Sequence, residues 1–225
     1  MRTFRTHGCI HTEAVDDPGM GYPYGHRYNS KARLASFWHQ ADEVLKFGPS
    51  TALEVGPGPG YVAQWLRREG VRVTTVDIDP RVRPDVVASV RRLPFADRAF
   101  DVSLCCEVLE HLPFSELPNA LRELGRVSKL GIVVSVPDRD RYFRLVVKTP
   151  WRSWSGVIEW PRRLSSRPRL SSQEHRWEIG CDSVGVKDVI GVILETTGGK
   201  VRTYRVPENP YHRFFVVSFG TVDGA

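Results

Sequence analysis

Over residues 30–46 the apolar side chains Leu34, Phe37, Trp38, Ala41, Val44 and Leu45 recur at helical spacing until Gly48 and Pro49 stop the run, which predicts an amphipathic helix. The period then changes. Residues 51–55 read as a short apolar strand, a glycine-rich turn follows, and 61–69 returns to helical spacing, with Val62, Trp65 and Leu66 on one face and Gly70 at the end. Residues 71–77 alternate as a second strand, 85–88 make a short third, and 100–106 a fourth. Leu117, Ala120, Leu121 and Leu124 stripe a helix that Ser115 is expected to cap, with Pro118 in its first turn, where a missing N–H is tolerated. A fifth apolar strand covers 130–136.

Strands that alternate with helices and are apolar along their length predict an α/β fold, a mainly parallel sheet covered on both faces. Residues 183–197 form a further helix that buries Val186, Val189, Ile190 and Ile193 and stops at Gly198 and Gly199. Two strands follow, 200–206 and 212–219, joined by a link too short for a parallel crossover, so they are expected to pair antiparallel.

A length of 225 residues predicts one domain, and 41% hydrophobic with 26% charged residues is ordinary globular composition. No apolar run is long enough to span a bilayer, and the opening residues lack the apolar centre of a secretory signal, so the expected location is cytoplasmic. Cys9, Cys105, Cys106 and Cys181 include no C-x-x-C pair and are read as reduced thiols. His7, Cys9 and His11 alternate but have no fourth ligand nearby, so no metal site is assigned. The formal charge of +6 is local: over 139–176 ten Lys or Arg face three acids, and the rest of the chain is nearly neutral.

The chemistry lies where the first strand meets its helix, in Leu53-Glu54-Val55-Gly56-Pro57-Gly58-Pro59-Gly60. Glycines there let main chain approach a ligand at the carboxyl edge of a sheet, although Gly and Pro also mark plain loops. Asp77 ends the second strand 21 residues after Gly56, where a carboxylate can accept hydrogen bonds from ribose hydroxyls. The G-x-G-x-G spacing differs from the G-x-G-x-x-G of pyrophosphate shelves, which disfavours a dinucleotide. With Leu93-Pro94-Phe95-Ala96-Asp97, Phe100-Asp101-Val102 and Glu107-Val108-Leu109-Glu110-His111-Leu112, this stretch resembles the class I, Rossmann-like methyltransferases that use S-adenosyl-L-methionine, in their small-molecule branch.

The resemblance implies a three-layer αβα sandwich on a seven-stranded sheet with an antiparallel last strand. It implies that Glu54, Gly56, Gly58 and Gly60 line the methionine end of the cofactor, Asp77 the ribose, Ile78 and Leu93 the adenine, and Cys106 with Glu107 the sulfonium side. Ser89 stands where the family often has an Asp near the adenine amino group. The implied activity is in-line methyl transfer to an O, N or C nucleophile of a small molecule, leaving S-adenosyl-L-homocysteine, with no metal required. An RNA or protein methyltransferase and a non-catalytic cofactor-binding regulator are the alternatives.

A general base is optional for such chemistry, and His175 and His111 are its candidates, with Glu107 holding the cofactor ammonium or the substrate. Glu110 is read as a helix cap or a solvent-facing acid, and Asn209-Pro210-Tyr211 as a turn. The expected organisation is a helical cap (1–48), a cofactor core (49–137), a basic insertion (138–180) and a closing helix with two strands (181–225). The insertion interleaves Trp151, Trp154, Trp160 and Trp177 with arginines, and Tyr22, Tyr24 and Tyr28 stand before the first helix. It is read as a lid on an anionic or aromatic acceptor, a membrane-interface patch for a lipid-like one, a nucleic-acid surface, which the charge alone does not imply, or a solvated cover. No motif sets the oligomeric state.

Overall fold

The computed structural model describes residues 28–159, 169–181 and 183–220. His7, Cys9, His11, Tyr22, Tyr24 and Trp160 lie outside them. Helix α1 (Lys31–Leu45) starts where the Ser30 hydroxyl accepts the Arg33 N–H at 3.3 Å, and β1 (Thr51–Val55) follows with its last four residues buried. Next come α2 (Tyr61–Arg68), β2 (Arg72–Asp77), β3 (Val86–Val87) and β4 (Phe100–Cys106). Helix α3 (Leu117–Val127) buries the whole predicted leucine stripe and hands over to β5 (Ser128–Pro137). A hairpin of β6 (Tyr142–Lys148) and β7 (Ser153–Glu159) precedes α4 (Val186–Thr197), β8 (Lys200–Arg205) and β9 (His212–Ser218).

Seven strands form one sheet in the order β3-β2-β1-β4-β5-β9-β8. All but β9 run parallel; β9 lies antiparallel between β5 and β8, with Val134 opposite Phe215 on one side and Thr203 opposite Phe215 on the other. The short 206–211 link dictates that turn-back. Helices α1 and α2 pack side by side over Ala52, Val102, Val133 and Phe214. Helices α3 and α4 pair over Leu53, Val55, Ile132 and Phe215 on the other side. The sheet is thus sandwiched, and the carboxyl ends of β1, β2, β4 and β5 share one edge. No helix among the described residues is long and apolar enough to cross a membrane.

Two local expectations are corrected. Ser115 caps nothing: it sits inside a 3-10 turn over Phe114–Glu116, and α3 starts without a side-chain cap. Helix α1 turns a partly polar face inward, burying Ser36, Gln40 and Glu43 while Leu34 and Trp38 remain 47% exposed. The partners explain the rotation. Asn209 Nδ2 donates to Ser36 Oγ at 3.0 Å, the Tyr204 hydroxyl donates to Glu43 at 3.1 Å, and Arg202 closes on the same carboxylate.

Asp101 at the head of β4 fastens the N-terminal edge of the sheet. Its carboxylate accepts the Ser50 and Thr51 N–H groups and Lys129 Nζ, each at 2.9 Å. Burial pushes this carboxyl up, but Lys129 and the N–H donors outweigh it and hold it at about 2. Because the folded value lies below the ordinary 3.8, the stabilisation is complete at neutral pH and fades as pH falls from about 4 towards 2. Asp101→Asn is expected to lose about 2 kcal/mol at pH 7, a deficit that shrinks in acid. Urea unfolding of both proteins across that range checks it; a pH-independent deficit would refute the assignment.

Candidate functional site

Strand β1 delivers the chain into the 56–60 turn with three glycines in the left-handed region, φ +73° at Gly56, +51° at Gly58 and +76° at Gly60. The Gly56 N–H donates to Val76 O at 2.8 Å, tying the turn to β2, and Gly60 caps α2. A Cβ on Gly56 would stand 2.3 Å from Val108 Cγ2, so the turn is pressed against the segment that leaves β4. Glu54 is buried beneath this shelf, and its Oε2 has no hydrogen-bond partner among the described residues. Burial pushes its carboxyl up to about 8, against the pull of the Ala63 N–H and Arg67.

At the end of β2, half-buried Asp77 accepts the Asp79 N–H at 2.8 Å through Oδ1. Burial raises its carboxyl against the pull of the Asp79 N–H. Ile78 beside it is 68% exposed. Ser89 is half-buried in a tight turn, its hydroxyl accepting the Arg91 N–H at 3.3 Å. Leu93 is buried in the main core, its N–H donating to Glu123 at 2.8 Å and its carbonyl accepting Arg126 Nη2 at 3.0 Å.

The β4 edge is crowded with ionisable groups. Half-buried Cys106 ends the strand, and burial raises its thiol well above the usual range. Glu107 follows with a left-handed φ of +55°, accepting the Ser135 hydroxyl at 2.8 Å. Burial pushes its carboxyl up to about 7 against Ser135, Arg33 and His175. His212 Nε2 lies 3.4 Å from Glu107 Oε2; burial, aided by Arg33, lowers this imidazole to about 3, so the contact joins a neutral ring to the acid. Glu110 is 1% exposed, with Oε2 unpartnered among the described residues and Oε1 4.0 Å from His175 Nε2. The rings of His111 and His175 meet edge to face at 5.0 Å, and burial, then His175, lowers His111. His175 Nδ1 stands 2.5 Å from the fully buried Glu178 carboxylate, which also accepts the Ser171 N–H at 3.1 Å and the Tyr211 hydroxyl at 3.2 Å.

Residues 53–135 match the family described as methyltransferase domain. Residues 53–135, with the glycine turn, Asp77 and the β4 edge among them, thus carry a methyltransferase domain. An uncharacterized methyltransferase of Mycobacterium sp. (strain KMS) is 37% identical over 116 residues, covering 47% of this chain and 46% of that protein. The aligned stretch thus spans about half the length of this curated relative. Among solved structures, the PH0226 protein from Pyrococcus horikoshii OT3 is similar with a TM-score of 0.58 at 16% identity, covering 91% of this chain and 99% of that one. N-methyltransferase NodS from Bradyrhizobium japonicum WM9, in complex with S-adenosyl-l-homocysteine, is similar at 0.55 and 14%, covering 88% and 92%.

The basic insertion is divided. Trp177 is buried and packs edge to face on Phe114 at 5.1 Å, so it belongs to the core. Trp151, 89% exposed, and Trp154 lie on the β6–β7 hairpin, which forms its own two-stranded sheet. The hairpin is moored at the carboxyl edge: buried Asp138 takes Arg205 Nη2 at 2.6 Å and Arg213 Nε at 2.5 Å, and Glu159 of β7 closes on Arg213.

Sequence reasoning missed Arg33, Ser135, Glu178, Tyr211 and His212 as partners of the site residues. A signal existed for Glu178 alone, an acid three residues after His175 beside the apolar Trp177 and Ile179.

Proposed function

We propose that this chain transfers the methyl group of S-adenosylmethionine to an O, N or C nucleophile of a small molecule by in-line displacement. The observation that carries the reading is the shelf of Gly56, Gly58 and Gly60, set over a buried Glu54 oxygen that lacks a partner among the described residues and beside half-buried Asp77 at the end of β2. These residues fit the cofactor. Glu54 would hold the ammonium end, since a buried carboxylate oxygen without a donor gains most from an arriving cation. Asp77 would accept the ribose hydroxyls, and Ile78 would cover a face of the adenine, with Ser89 and Leu93 framing it by turn and core.

The bound cofactor supplies an electrophilic methyl carbon, so the residues of the chain need only hold an acceptor in line and keep water out. Cys106 and Glu107 would line the reacting side, and His111 and His175 face the same edge as candidate bases. The β6–β7 hairpin would close over the acceptor; its exposed Phe143 and Trp154 beside Arg144 and Arg152 suit an aromatic or anionic molecule.

Calorimetry with S-adenosylhomocysteine tests the core of the reading. Asp77→Ala is expected to weaken binding by about 1.5–3 kcal/mol, roughly 10- to 100-fold, through lost ribose hydrogen bonds. An unchanged Kd in the folded variant would reject the ribose assignment, and no binding by the wild-type chain would reject the reading as a whole.

A further inference from the structure

Glu110 and His111 leave β4 together, and His175 arrives more than sixty residues later on the approach to α4. We propose that these three side chains form a binding site for one divalent transition-metal ion, placed beside the methyl-transfer edge. One donor atom from each lies within 4.8 Å of the others. An ion with bonds of about 2.0–2.2 Å would draw them together through modest side-chain rotation, which the exposed His111 can supply.

Three further observations point to a ligand. Glu110 is buried with an oxygen that no group among the described residues satisfies, and buried polar atoms left so call for a partner. His175 Nε2 is 4.0 Å from Glu110 Oε1, too long for a hydrogen bond, so the two point at each other without bonding. Finally, Glu178 takes His175 Nδ1 at 2.5 Å, which assigns the proton to Nδ1 and leaves the Nε2 lone pair facing Glu110 and His111. A buried carboxylate that fixes the tautomer of an imidazole is the outer-shell arrangement of metal-binding histidines.

Two imidazoles and one carboxylate suit zinc, cobalt, iron or manganese better than magnesium or calcium, which favour all-oxygen shells. Three protein ligands leave coordination positions open. The acceptor they select, a consequence that rests on the methyl-transfer reading, is a small molecule with an acidic hydroxyl. Its proton passes to water, its oxygen forms the new bond to the methyl carbon, and the carbon–sulfur bond breaks with its electron pair left on sulfur. His111 and His175 then serve as ligands rather than bases.

The full chain, stripped with chelator and desalted, is titrated with cobalt(II) and followed by its visible d–d absorption and by calorimetry. Saturation at about one equivalent is expected. His111→Ala, His175→Ala and Glu110→Gln should each lower cobalt affinity at least about 100-fold, and Glu178→Gln about 10-fold, as an outer-shell loss does. A wild-type far-UV circular dichroism spectrum and a cooperative urea transition show that each variant is folded, and the exposed His111 keeps the test decisive if a buried variant misfolds. No stoichiometric cobalt in the wild type, or cobalt binding undiminished in the folded His111→Ala variant, overturns the proposal. Cobalt binding without S-adenosylhomocysteine binding would sink the cofactor reading and leave the metal site standing.

Discussion

Gly56→Val is expected to remove measurable cofactor binding. Two costs fall on one residue. The backbone at position 56 holds φ +73°, which a β-branched side chain tolerates at a cost of about 1–3 kcal/mol. The new Cβ would also stand 2.3 Å from Val108 Cγ2, and forcing bulk into such a contact costs a further 1–3 kcal/mol or so. Neither side yields easily, because Gly56 is bonded to Val76 and Val108 lies between Glu107 and the buried Leu109. The turn must shift, and the surface offered to the cofactor shifts with it. The expected result is at least a roughly 100-fold loss of S-adenosylhomocysteine affinity, equivalent to about 2.7 kcal/mol. Gly48→Val supplies the control: φ is +62° there, but nothing lies within 4 Å of its Cβ, so it should lose stability and keep the wild-type Kd. Equal Kd values for the two folded variants would disprove the role of the shelf.

Asp138→Asn is expected to produce the largest loss of stability of any substitution considered, about 3–5 kcal/mol. Arg205 and Arg213 are both buried, and both direct their guanidinium groups at this carboxylate. Removing its charge leaves two buried cations facing the half-exposed Glu159, with Asp140 a weaker influence on Arg205. Burial pushes the Asp138 carboxyl up while the two arginines pull it down. The damage should also be local. Because the same arginines hold Glu159, hydrogen exchange in 142–159 should accelerate beyond what the global destabilisation accounts for. A variant within 1 kcal/mol or so of wild type in urea would show that the network contributes little, as exposed ion pairs do.

The alternation of apolar strands and helices was enough to place β1, β4 and the glycine shelf to the residue, since those elements follow local periodicity and turn chemistry. The antiparallel close was legible too, because a short link has one geometric solution. The hairpin was not. Its strands carry apolar residues on both faces and are exposed along β6, so neither period 2 nor burial marked them out. The inward face of α1 was misread because its polar residues are satisfied by β8 and the 206–211 link, more than 150 positions away. The same holds for the site. Glycines and Asp77 announce themselves by spacing, whereas the meeting of Glu110, His111, His175 and Glu178 is a product of tertiary packing.

The antiparallel insertion of β9 has a consequence for synthesis. The neighbour of β5 on that side is not the next main-sheet strand to be made but the last one, so Ile132, Val133 and Val134 offer bare main chain until residues 212–218 emerge. A ribosome-bound chain therefore carries an open, sticky rim for the time needed to translate some eighty codons, and a strand rim of this kind recruits like rims from neighbouring nascent chains. Slowing elongation between codons 137 and 218 should then raise the aggregated fraction.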